Sequence, residues 1–172
     1  MHGLLGGVRR AMSVDWPPNF TLSGEPWFPQ HFPNFKPRHC DPDDMSDFDT
    51  RYNCIAWAAS DTSRWWWPDD PIIGYGYWPP TVPRELTIPA FVAAFQTLGY
   101  TACPDDSVEN GFEKIAIYAD RNSEPTHAAR QLVNGFWTSK FGAYEDARHV
   151  DLSCLEGPGY GKVFVFMKRI SA

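Results

Sequence analysis

Apolar and polar residues alternate in four short stretches of the second half of the chain. Phe112–Tyr118 (FEKIAIY), Thr126–Val133 (THAARQLV), Phe136–Phe141 (FWTSKF) and Lys162–Arg169 (KVFVFMKR) each fit the two-residue period of a strand. Asn134-Gly135 between the second and third predicts a two-residue hairpin loop. Counted out from that turn, 133 opposes 136, 130 opposes 139 and 127 opposes 142, so Ser139 lies diagonal to His127.

The first half follows other periods. Phe91, Phe95 and Leu98 recur at helical spacing between Thr87, a capping residue, and Gly99, with Pro89 in the first turn. A helix over 53–63 is predicted to start behind Asn53 and to stop before Trp65-Trp66-Trp67-Pro68. DDPIIGYGYWPPTVP reads as an ordered loop, and Ala143–Leu155 as short helical turns. Residues 1–45 are too rich in proline for a long helix or a central strand, and their Trp and Phe residues predict an extended arm wrapped over the core. Helices followed by an antiparallel meander make an α+β domain over 46–172. There is no internal repeat and no low-complexity tract.

Composition narrows the function. With 172 residues, 43% of them hydrophobic, the chain fills one core rather than two. A net charge of -6 without a basic stripe argues against a nucleic-acid partner. No run of about 18 apolar residues predicts a membrane span. In MHGLLGGVRRAMSVDW the arginine pair follows a short apolar patch, the reverse of a signal peptide. The default expectation is therefore cytoplasmic, with free thiols at Cys40, Cys54, Cys103 and Cys154. Export by a machine that reads no cleavable signal would leave no trace in this pattern.

Cys54 follows Asn53 at the predicted helix start. A cysteine there is either a small core residue or a nucleophile whose thiolate is favoured by unpaired N–H groups and the helix dipole. The second reading predicts a lowered thiol pKa and makes Cys54 the most reactive of the four. It needs a base and an orienting group. His127 opens a predicted strand and shares a face with Ala129 and Gln131, small enough at 129 for a helix end to approach. Each residue also has a plain structural reading, His127 as a core histidine and Ser139 as an ordinary strand serine.

A cysteine opening a helix, a histidine on a strand and a polar residue on the next strand resemble the papain-like fold. The likeness is to its compact bacterial branch of peptidoglycan endopeptidases and amidases, and covers roughly residues 50–142. Those proteins start the catalytic helix with Asp-Cys-Ser-Gly, where this chain has Asn53-Cys54-Ile55-Ala56. The chain is also similar to a group of bacterial proteins sharing NCIAWA, THAARQL and WTSK, a likeness that supplies no substrate. The resemblance implies an N-terminal catalytic helix packed on an antiparallel sheet. It implies Cys54 as nucleophile, His127 as base and Ser139 as orienting residue, acting without a cofactor on an amide, peptide or ester bond in a cell-wall fragment or protein. The backbone N–H of Cys54 would hold the oxyanion, with Tyr52 as a candidate second donor. Serine departs from the family's usual His, Asn, Gln or Asp, so Glu145, Asp146 and His149 stand as alternative orienting groups. A rival register puts Lys114 at the histidine position and His127 third, but lysine is a base near neutral pH only when burial lowers its pKa strongly.

Other features carry weaker chemistry. Trp65, Trp66, Tyr77 and Trp78, with Trp67 and Tyr75, form a candidate stacking platform for a sugar or peptide, or simply core packing. His39, Cys40, His127, His149 and Cys154 are the only zinc candidates, and their spacing matches no zinc motif, so no metal is expected. Gly157-Pro158-Gly159-Tyr160-Gly161 lacks the phosphate-loop pattern and reads as a turn. The competing function class is a non-catalytic adaptor or immunity-type module on the same scaffold, binding through its aromatic loops.

Overall fold

The computed structural model describes residues 16, 20–39, 46–69 and 76–172. Six strands form one antiparallel sheet in the order β1-β6-β2-β3-β4-β5. They are β1 (Thr101–Cys103), β2 (Phe112–Ala119), β3 (Pro125–Gln131), β4 (Trp137–Lys140), β5 (Asp146–His149) and β6 (Lys162–Ile170). The helices are α1 (Phe28–His31), α2 (Cys54–Ala58) and α3 (Ile88–Gln96). An α+β chain with an antiparallel sheet is therefore the architecture, as the alternation predicts.

Each face of the sheet carries its own cluster, because side chains alternate along a strand. On one face Ile115, Ile117, Ala128 and Met167 pack against α2 and α3. On the other, Ala116, Tyr118, Ala129, Trp137 and Ala147 pack against Phe20, Phe28, Phe32 and Phe35 of the N-terminal segment. That segment folds into short turns, 3-10 helices at Thr21–Gly24 and Pro37–His39 around α1, rather than an extended arm. Glu145 ties it down by accepting from the backbone N–H and the hydroxyl of Thr21.

Three local expectations are corrected. The helix predicted over 53–63 stops at Ala58, because Ser60 turns to φ 60°. There the Asp61 N–H bonds the Ala56 carbonyl and the Ser60 N–H the Trp57 carbonyl, a left-handed cap that closes the helix. Ala143–Leu155 holds strand β5 before a 3-10 turn at Leu152–Leu155, rather than helical turns throughout.

The third correction concerns register. Leu132 N–H bonds the Phe136 carbonyl, and Arg130 pairs with Thr138. The hairpin therefore has a three-residue loop, with Gly135 alone at positive φ, 87°, where an L side chain is strained. A one-residue slip moves every side chain to the other face. Ser139 now opposes 129 instead of 130, and so joins the face of His127.

Candidate functional site

Asn53 builds the start of α2. Its side-chain oxygen accepts from the Ala56 N–H at 3.1 Å and the Trp66 N–H at 3.3 Å, and its amide donates to the Trp66 carbonyl at 2.8 Å. One buried side chain thus caps the helix and fixes the following loop. Cys54 comes next, buried and in the helix-face cluster. Burial pushes its thiol up to about 11, against the amides of Ala128, Ile55 and Cys54 itself and the nearby charge of Lys140, which all favour the thiolate. The lowered pKa expected from the helix start is therefore corrected: loss of water outweighs the helix end.

The Ala128 amide that faces the sulfur belongs to the peptide following His127. It lies near the end of the β3–β4 ladder, which pairs only Arg130 with Thr138 and Gln131 with Trp137. The thiol thus enters from the helix face beside the backbone of His127, whose ring lies on the opposite face. That ring is fully buried, stacked on Tyr160 with centroids 3.9 Å apart and planes 8° apart, and edge-on to Tyr118. Burial, with the second imidazole of His149 adding, holds His127 well below the usual imidazole range.

His127 Nε2 lies 2.9 Å from Ser139 Oγ, and the same oxygen lies 2.9 Å from His149 Nε2. His149 Nδ1 lies 2.8 Å from the Asp151 carbonyl. His127 Nδ1 is buried and has no hydrogen-bond partner among the described residues, so Cys54 and His127 are not bonded to each other. His149 is also pushed down by burial, to about 4, although the Asp151 carbonyl opposes the shift.

The other predicted residues are placed as follows. Trp66 and Trp78 are core side chains whose ring N–H groups bond Asp61 and the Pro83 carbonyl, which leaves neither an open stacking face. Trp65 and Tyr77 are half-buried, and Tyr77 is covered by the Arg64 guanidinium at 3.4 Å. Cys40 and Tyr75 lie outside the described residues. Lys114, the rival base, is buried and tied to the Asp105 carbonyl and carboxylate and to Ser107 Oγ, far along β2 from Tyr118, the strand partner of His127. Asp146 accepts from the Ser46 N–H and Glu145 holds Thr21, so neither orients the imidazole. Among the described residues no group of three or more His, Cys, Asp and Glu is arranged for a metal ion, and no helix is long and apolar enough to cross a membrane.

Two residues at the site carry no mark in the sequence pattern. Tyr160, read as part of a turn, is held against His127 by a hairpin in which Gly157 and Gly161 exchange backbone hydrogen bonds. A Cβ on Gly161 would meet the Ala119 carbonyl oxygen at 1.9 Å, which demands glycine there. Lys140, fully buried, donates to the Ala143 and Tyr144 carbonyls and lies 4.7 Å from the Tyr52 ring centroid. Beside Tyr160 opens a cleft of about 290 Å³, lined by Trp27, His31, Phe32, Phe141, Tyr144 and Tyr160, with no Asp, Glu, Lys or Arg in its wall. Tyr160 separates this cleft from the His127 ring on which it stacks.

The burial of the thiols gives a direct expectation. Iodoacetamide near neutral pH should modify half-buried Cys103 before Cys54 and Cys154, whose thiols are both pushed up to about 11. Peptide mapping of a time course checks this. Cys54 labelling first would reveal a preformed thiolate–imidazolium pair instead.

A family model described as Domain of unknown function (DUF7689) matches residues 44–168. No curated protein and no solved structure matches the chain.

Proposed function

We propose for this chain, which belongs to the DUF7689 family, a cysteine-dependent acyl transfer to water or an amine on a papain-like arrangement. The observation that carries the reading is the unpartnered Nδ1 of His127, buried next to the peptide whose amide faces the Cys54 sulfur. An imidazole held by Nε2 keeps Nδ1 unpartnered, as a general base requires, and Tyr160, stacked on that ring, lies within reach of the Cys54 charge.

At rest both groups are neutral, since burial raises the thiol and lowers the imidazole. Thiolate forms as the substrate docks. His127 Nδ1 takes the S–H proton, the sulfur pair forms a C–S bond, and the carbonyl π pair moves to oxygen, where the Cys54 N–H and the start of α2 stabilise it. Collapse expels the amine or alcohol, which takes the proton from Nδ1. Water or an acceptor amine then cleaves the thioester by the same steps in reverse order. The largely aromatic cleft beside Tyr160 and Phe141, with His31 in its wall, suits an apolar group of the substrate.

The test is to trap the thioester. Incubation with an activated aryl ester followed by peptide mass analysis should place a hydroxylamine-labile acyl group on Cys54. Acylation at lysines alone, or equally at Cys103, would remove the proposal. The competing reading, a non-catalytic binding module, draws on the raised thiol pKa and on the Tyr160 ring covering the imidazole. It predicts no Cys54 adduct with any ester.

A further inference from the structure

We propose that His149 is a positioning residue, which acts through the Ser139 hydroxyl to hold His127 in the tautomer that leaves Nδ1 free to accept a proton. The inference rests on the acyl-transfer reading of the same site, and it follows from counting donors along one chain of contacts.

The Asp151 carbonyl oxygen can only accept, so His149 Nδ1, 2.8 Å away, carries the hydrogen. The same carbonyl also accepts from the Cys154 thiol at 2.7 Å, which uses both of its lone pairs and anchors it in the turn. The opposite tautomer of His149 would set a nitrogen lone pair against that oxygen. A neutral imidazole has one N–H, so His149 Nε2 is an acceptor. Ser139 Oγ, 2.9 Å from it, has a single proton and donates it there. The serine oxygen is then an acceptor toward His127, so the hydrogen between them, across 2.9 Å, sits on His127 Nε2. That leaves the His127 lone pair on Nδ1, the buried nitrogen with no partner.

Two features keep the chain from reversing. His149 and Ser139 sit on paired strands, with Trp137 opposite His149 and Ala147 opposite Ser139, so both side chains share a face and their spacing is set by the ladder. The imidazole of His149 also packs edge-on against Phe35 of the N-terminal segment, with ring centroids 6.5 Å apart. A serine alone is a rotor that can donate or accept. The fixed acceptor behind it is what gives Ser139 a direction, and this explains how serine can stand where the papain-like families usually carry an amide, an imidazole or a carboxylate.

The deciding measurement is the nitrogen spectrum of histidine-labelled full-length protein near neutral pH. His127 should show a pyridine-like Nδ1 and a protonated Nε2, and His149 the reverse pattern. A protonated Nδ1 on His127 in the wild type overturns the proposal without any variant. His149→Leu removes the acceptor, and the His127 signals should shift toward the other tautomer while kcat falls about 100-fold with KM little changed, less than the roughly 10⁴-fold of a fully wrong tautomer. His149→Gln can place an amide oxygen toward Ser139 and should restore most of kcat and the original His127 tautomer. Unchanged tautomer and kcat in His149→Leu would overturn the proposal, as would a Gln variant no better than Leu. The expected tautomers with no Cys54-dependent turnover would instead sink the acyl-transfer reading while leaving the hydrogen-bond chain standing.

Discussion

Lowering the pH from 6.5 toward 4 should unfold this protein progressively, with His149 alone withdrawing about 3 kcal/mol of stability. The sign follows from where each state binds protons. An unfolded imidazole titrates near 6.5, whereas burial holds His149 at about 4 and His127 well below its usual range. Above 6.5 both states are neutral and the histidines contribute no pH dependence. Below it the unfolded chain takes up protons that the native state refuses, so stability falls with pH until the folded pKa is reached. Each such histidine imposes a slope of about 1.4 kcal/mol per pH unit in that window. A domain of this size has roughly 5–15 kcal/mol in total, so two buried histidines bring acid unfolding above the range where the carboxylates act. Asp61, Asp105 and Asp151, all lowered, withdraw their share only at lower pH. Urea titrations at half-unit intervals from pH 7 to 4 should show the loss, and His149→Gln should reduce the slope by about half. A flat profile to pH 4.5 would mean that the histidines are not buried in neutral form.

Much of the fold was legible because its strands expose one period to two environments. FEKIAIY and KVFVFMKR alternate so regularly that β2 and β6 fall within one residue of their expected ends. Strand β5 was not legible. Its sequence Asp-Ala-Arg-His carries charge at positions that are nonetheless largely buried, because Asp146 meets the Ser46 N–H and His149 closes on Ser139 and Asp151. Such polar burial depends on partners distant in sequence, which no local pattern reveals. The same limit hid His149, named only as one alternative among three.

The Asn134-Gly135 turn shows how a small local choice decides the site. Read as a two-residue loop, it would put Ser139 opposite 130, on the face away from His127. The Asn134 side chain instead accepts from the Phe136 N–H at 3.1 Å, and only Gly135 takes the left-handed conformation. The added loop residue rotates Ser139 to the imidazole. Cys54 was legible as a position but not as an environment: a helix start is local, whereas its burial comes from the packing of α2 on β3 and β4. Trp66 and Trp78 failed as a platform for the same reason, since their apolar bodies fill the core that the short helices leave open.

Cys54→Ala and His127→Gln should each abolish turnover of an ester or amide substrate by about 10⁴-fold or more, and the double variant should be no worse than either alone. Non-additivity of that size is the mark of two groups acting as one unit: without the nucleophile a base has nothing to deprotonate, and without the base a thiol with its pKa near 11 supplies almost no thiolate at neutral pH. Stability must move differently. Cys54→Ala removes one sulfur from a tight but small contact and should cost no more than about 1–2 kcal/mol. His127→Gln keeps a polar group for Ser139 but loses the Tyr160 stack, so it should cost more, roughly 2–3 kcal/mol. Ser139→Ala should fall between, with turnover reduced about 100-fold, because the imidazole stays in its aromatic slot while its Nε2 loses an acceptor. Thermal melts beside initial rates for the wild type, the three single variants and the Cys54/His127 double variant separate the two axes. If Cys54 were only a packing residue, its replacement would lower the melting temperature slightly and leave any turnover in place. Activity surviving in Cys54→Ala would therefore end the nucleophile assignment. Activity surviving only in His127→Gln would leave Cys54 as nucleophile and return the base to another buried group, of which Lys140 is the nearest in charge.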